Sequence, residues 1–103
     1  MVPKPKTIDP IEQAEAKLAE AQAKLAERRR EADAAKDTSE SLKARLDNGD
    51  ETVTAEAIAS AAFEKDRTAG LVKAAERAVQ EAERNLSATI AEHEPLLAEW
   101  VAE

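Results

Sequence analysis

The one histidine of this chain stands between two carboxylates, as Glu92-His93-Glu94, and three guanidinium groups follow one another at Arg28-Arg29-Arg30. The first set has the side chains of a metal-ligand cluster or a general acid–base pair, the second those of an anion site. Neither spacing serves the chemistry. On a helix only residues three or four apart share a face, so Glu92, His93 and Glu94 cannot converge on one atom. His93 is read instead as a packed or solvent-linked side chain. Glu27, Glu31 and Asp33 surround the arginine run, which makes it part of a solvated helix face of mixed charge.

The remaining chemical inventory is thin. The chain has no Cys and no Tyr, so thiolate nucleophiles, thiolate metal sites and disulfides do not arise. Helical di-iron centres need Glu-x-x-His, and the residue three before His93 is Ile90. The two glycines, Gly49 and Gly70, stand far apart and form no phosphate-cradling loop. The chain is therefore expected not to be an enzyme, with no catalytic residue, cofactor, metal or small-molecule substrate.

Charge and hydropathy narrow the partners. A net charge of −7 argues against nucleic acid, whose phosphates are neutralised by Lys and Arg. No apolar run approaches the roughly 20 residues that span a bilayer, so no membrane contact is expected. The segment Met1-Val2-Pro3-Lys4-Pro5-Lys6 is basic, but no apolar stretch follows it as in a signal peptide. Together with the missing cysteines, this gives the expectation of a cytoplasmic setting.

Function must then come from surfaces, and the surfaces depend on the elements. Of 103 residues, 24 are alanine, and only 20 apolar residues are larger, among them one Phe and one Trp. Bulky side chains are what fill a globular interior, and this chain has too few. The abundance of Ala, Glu, Lys, Leu and Arg is that of long helices.

Residues 1–8 carry two prolines and two lysines and are expected to be a disordered leader. Asp9-Pro10-Ile11-Glu12 then reads as a helix start: Asp9 as cap, Pro10 at the first helical position and Glu12 completing a capping box. The next breaker is Asn48-Gly49, two residues that tolerate the left-handed conformation at helix ends. Thr54 can cap a second helix, with Val53 and Ile58 in the positions of a hydrophobic staple. The sequence thus predicts helices over 9–47 and 54–94, a loop over 48–53, and a short helical extension over 95–102 beginning at Pro95. So short a loop forces the helices antiparallel.

A heptad runs through both helices. Ala14-Glu15-Ala16-Lys17-Leu18-Ala19-Glu20 is followed by Ala21-Gln22-Ala23-Lys24-Leu25-Ala26-Glu27. In helix one the a positions are Ile11, Leu18, Leu25, Ala32, Ser39 and Leu46, and the d positions Ala14, Ala21, Arg28, Ala35 and Leu42. In helix two they are Ile58, Lys65, Val72, Val79, Leu86, His93 and Trp100 at a, with Ala61, Thr68, Ala75, Ala82, Thr89 and Leu96 at d. This is the pattern of a coiled coil. Folding the chain at the loop makes facing residue numbers total about 100, which sets Leu25 against Ala75, Ala21 against Val79, Leu18 against Ala82 and Ala14 against Leu86. Large residues meet small ones, so the side chains can interdigitate. The expected fold is an all-α antiparallel two-helix hairpin, an alanine-rich coiled coil about 55–60 Å long by helical rise.

Three features depart from that seam. Arg28 and Lys65 occupy its middle and are expected to lay their stems along it with their charges in water. Helix two carries an off-seam strip of Phe63, Gly70, Leu71, Ala74 and Ala78, and helix one a back stripe of Ala16, Ala19, Ala23 and Ala26. Contiguous exposed apolar strips mark interfaces, so two hairpins are expected to pair as a four-helix homodimer. The third departure is the apolar cluster of Ile90, Leu96, Leu97, Trp100 and Val101. It can cap the hairpin's end against Val2, Ile8 and Ile11, fill a dimer core, or offer Leu96, Leu97, Trp100 and Val101 to a different protein. The functional expectation is a structural or assembly protein acting through protein–protein contacts. Its rival is an adaptor, inhibitor or effector that binds through the C-terminal cluster.

Overall fold

The computed structural model describes residues 9–102, with side chains described as far as His93. Two long helices, α1 (Asp9–Asp47, 39 residues) and α2 (Ala55–Ala102, 48 residues), pack against each other as an all-α helical hairpin. The expected leader over 1–8 lies outside the described residues. α2 runs to Ala102 as one helix, through Pro95, where the sequence suggests a break after Glu94. A proline removes one backbone donor from the helical ladder, and here it does not end the element.

The turn is built from backbone and side-chain hydrogen bonds. At the end of α1 the amide of Gly49 donates to the Leu46 carbonyl (2.9 Å) and that of Asp50 to the Arg45 carbonyl (3.0 Å). Gly49 has φ +85°. Together these make a Schellman terminus, in which a left-handed residue satisfies carbonyls the helix would leave open. The Asp50 carboxylate then accepts from the Thr52 amide (2.9 Å) and from the Arg45 guanidinium (3.0 Å). Thr54 caps α2, its Oγ1 accepting from the Ala57 amide at 3.1 Å. Val53, in the staple position before the cap, is buried.

The chain forms two compact units, one of Lys24–Glu76 and one of the flanking segments up to Ala23 and from Arg77 onward. Both cuts fall at residue numbers that total 100, the alignment set by the turn. In the unit around the turn, Leu25, Ser39, Val53, Ala61, Thr68 and Ala75 are buried. In the other, Ile11, Ala14 and Val79 are buried, with Leu18, Ala21, Ala82 and Leu86 half-buried. Each of these buried residues that lies in a helix occupies a heptad a or d position.

Among the seam positions whose side chains are described, Leu46 is the exception, 46% exposed. Its facing number is about 54, and Thr54 is the cap, so α2 offers it no helical surface. Val53 supplies the buried apolar side chain at that end instead.

Candidate interaction surface

Between Leu42 and Glu31, the unit around the turn is lined by small side chains. Ala34, Ala35 and Thr38 of α1 and Ala57, Ser60 and Ala61 of α2 line an open groove of about 570 Å³. One wall runs from Glu31 to Leu42 and the other from Ala57 to Thr68. At each end of the groove the facing numbers total 99, within one of the alignment set by the turn. The groove exists because small residues occupy neighbouring d, g and c positions on both helices, so the backbones' separation is not filled by side chains.

Charged residues close the end away from the turn. Arg67 Nε donates to Glu64 Oε1 at 2.9 Å and Nη2 to Oε2 at 3.0 Å, a bidentate pair on α2. Arg28 Nη1 donates to Glu31 Oε2 at 2.9 Å on α1. The hydrogen bonds from Arg67 hold the Glu64 carboxyl below the usual carboxylate range. Glu64, and secondarily the negative field of Glu31 from across the hairpin, raise Arg67 above its ordinary value. The four groups cancel in charge, leaving this stretch neutral on a chain of net charge −7.

A buried threonine underlies that end. Thr68 is 3% exposed, and its hydroxyl donates to the Glu64 carbonyl at 2.8 Å and the Lys65 carbonyl at 3.1 Å. A polar side chain satisfied within its own helix can sit in a seam without demanding a partner across it.

The residues singled out in the sequence distribute as follows. Phe63 is 67% exposed. Gly70, Ala74 and Ala78 are exposed and Leu71 is half-buried; Phe63 through Ala74 belong to the unit around the turn, and Ala78 to the other. On α1, Ala16, Ala19, Ala23 and Ala26 are exposed. Lys65 and Arg28 are half-buried, and the Arg28 head is paired with Glu31. The arginine run is thereby split, because Arg29 and Arg30 are exposed. Ile90 is exposed and His93 half-buried. The side chains of Leu96, Leu97, Trp100 and Val101 lie outside the described residues.

The heptad reading does not anticipate the groove, although its signal is present. Positions 34, 35, 57 and 61 are all alanine and position 60 serine, on c, d and g positions that fall on the same side of the two helices once the chain is folded at the turn. No known protein family matches the chain, and no curated protein or solved structure shows significant similarity to it.

Proposed function

We propose that this protein is a non-enzymatic structural or assembly element that acts through protein–protein contacts, first of all with a second copy of itself. The observation that carries this reading is apolar surface left open to solvent: a groove walled by small side chains between the helices, and on another face of α2 a phenylalanine that is 67% exposed. Exposed apolar surface that is contiguous and bordered by charge is characteristic of contact sites. A groove this open does not sequester a substrate from water, as binding sites for small reactants do. The net charge disfavours nucleic acid, and among the described residues no helix is long and apolar enough to cross a membrane. A cytoplasmic setting goes with this reading, on the cysteine-free composition.

Sedimentation over a range of concentrations tests it. The expected species at high concentration has twice the 11.1 kDa chain mass. A monomer throughout overturns the self-pairing.

A second reading rests on the length of α2. At 48 residues against 39 for α1, α2 has more helix than α1 can cover, and the excess carries Leu96, Leu97, Trp100 and Val101. We propose as the alternative that this end engages a different protein, in the manner of an adaptor, inhibitor or effector. Truncation after Glu94 separates the two. If self-association and melting survive, the C-terminal residues are available to another partner; if both collapse, they belong to the chain's own packing.

A further inference from the structure

The outer face of α2, turned away from the seam, carries a pattern that the hairpin does not use. Its f positions read Glu56, Phe63, Gly70 and Arg77, one heptad apart on a single helix, and all four are exposed. Phe63 is 67% exposed, and a Cβ added at Gly70 would meet nothing within 4 Å. Packing within the molecule therefore calls for neither the ring nor the missing side chain, although glycine in a helix interior costs about 1 kcal/mol against alanine. Among the described residues no side-chain hydrogen bond or ion pair engages Glu56 or Arg77.

We propose that this face pairs with the same face of a second copy running the opposite way, Phe63 of each molecule packing over Gly70 of the other. This rests on the self-pairing reading and names its site. The four positions run acid, ring, gap, base, and in reverse they run base, gap, ring, acid. In an antiparallel pair Glu56 thus meets Arg77 and Phe63 meets Gly70, each contact occurring twice. That is the self-complementarity a twofold interface requires. A ring set against the absence of a side chain also lets the two backbones approach, with exposed Ala59 and Ala74 beside them.

Charge favours this occupant and this direction. Chains of net −7 repel, and a parallel pair would add Glu56 against Glu56 and Arg77 against Arg77. The antiparallel pair instead sets opposite charges at both ends of the contact. One cost falls at the twofold axis, where Asp66 of the two copies approach each other along one flank. Arg67 of the opposite copy stands diagonally across from each, and its Nη1, outside the bidentate pair with Glu64, is left to offset that repulsion.

Exchanging charges tests both the face and the direction. Glu56→Arg alone, or Arg77→Glu alone, places like charges at both ends, and each is expected to weaken dimerisation on the order of tenfold in sedimentation at low salt. Mixed together, the two variants should form a heterodimer in preference to either homodimer, because every charge at the ends then meets its opposite. Arg84→Glu, one heptad further along α2 and also exposed, is the control and should give no preferred heterodimer with Glu56→Arg. Phe63→Ala should weaken the wild-type dimer on the order of 100-fold, about tenfold for each ring lost, with an unchanged helical hairpin by circular dichroism. Gly70→Gln should weaken it comparably while stabilising each hairpin through its higher helix propensity, a pair of opposite effects that a role within the monomer would not give. A wild-type chain that stays monomeric overturns the self-pairing reading and this inference with it. A wild-type dimer that Phe63→Ala leaves intact, or charge variants that do not restore each other, overturns this contact alone and leaves self-pairing standing. A preferred heterodimer with Arg84→Glu in place of Arg77→Glu also overturns it, since the ring would then miss Gly70 by a heptad.

Discussion

Arg45 and Asp50 form an ion pair of 3.0 Å across the end of α1, at the two positions where a Schellman terminus usually carries an apolar contact. Asp50 also accepts from the amide and the hydroxyl of Thr52, so one carboxylate ties the end of the first helix to the approach of the second. The hydrogen bonds from Thr52, then the guanidinium of Arg45, hold the Asp50 carboxyl below the usual carboxylate range.

That lowering fixes the sign of a pH effect. A carboxyl that ionises more readily in the folded chain adds stability above its unfolded pKa, and loses it as pH falls through the lowered folded value. Wild type should therefore melt above Asp50→Asn at all pH values over about 4, with the difference shrinking as the solution is acidified further. Thermal melts of both proteins in parallel check this, since the other carboxylates titrate alike in each. A difference that does not change with pH would show that the charge of Asp50 contributes nothing.

The two glycines should respond to alanine with opposite signs. Neither added methyl meets an atom within 4 Å, so packing does not decide the outcome. Gly49 holds φ +85°, a conformation that costs an L-residue about 1–2 kcal/mol, and Gly49→Ala should destabilise by that amount. Gly70 lies inside α2, where alanine is favoured by about 1 kcal/mol, and Gly70→Ala should raise the melting temperature. Denaturant unfolding of the two variants measures both.

The cap of α2 gives a third expectation. Thr54 Oγ1 satisfies the Ala57 amide, and removing such a cap costs about 1 kcal/mol. Thr54→Ala should lose that much in denaturant unfolding, whereas Thr54→Ser, which keeps the acceptor, should lose little. Equal losses in the two would place the stabilisation in the threonine methyl rather than the hydrogen bond.

How far the sequence determines this molecule differs between seam and surface. The period of 3.5 residues and the breaker at Asn48-Gly49 specify both helices and their alignment, because each a or d residue has a single facing position once the turn is placed. Leu46 breaks the pattern for a local reason: the period continues to the end of α1, but its counterpart across the turn is a cap and not a helical residue. The groove escapes for a different one. A heptad assigns positions to layers without weighing how much volume a run of alanines leaves empty, and the void appears only when both walls are set side by side.

The alignment itself can be tested by exchanging size across the seam. Leu25 and Ala75 are both buried and face each other if numbers totalling 100 pair. Leu25→Ala should cost about 2 kcal/mol through lost burial and an unfilled space, and Ala75→Leu about 1–3 kcal/mol through overpacking. In the double variant the new leucine occupies the volume the old one vacated. Its destabilisation should therefore fall short of the sum of the single losses by about 1 kcal/mol or more, the coupling expected of residues in contact. Pairing Leu25→Ala instead with Ala82→Leu, one heptad further along α2, supplies the control, since position 82 faces Leu18. That combination should be additive. Coupling in the wrong pair, or none in the right one, would mean that the helices cross in another register, and the walls of the groove would then not be the residues assigned to it.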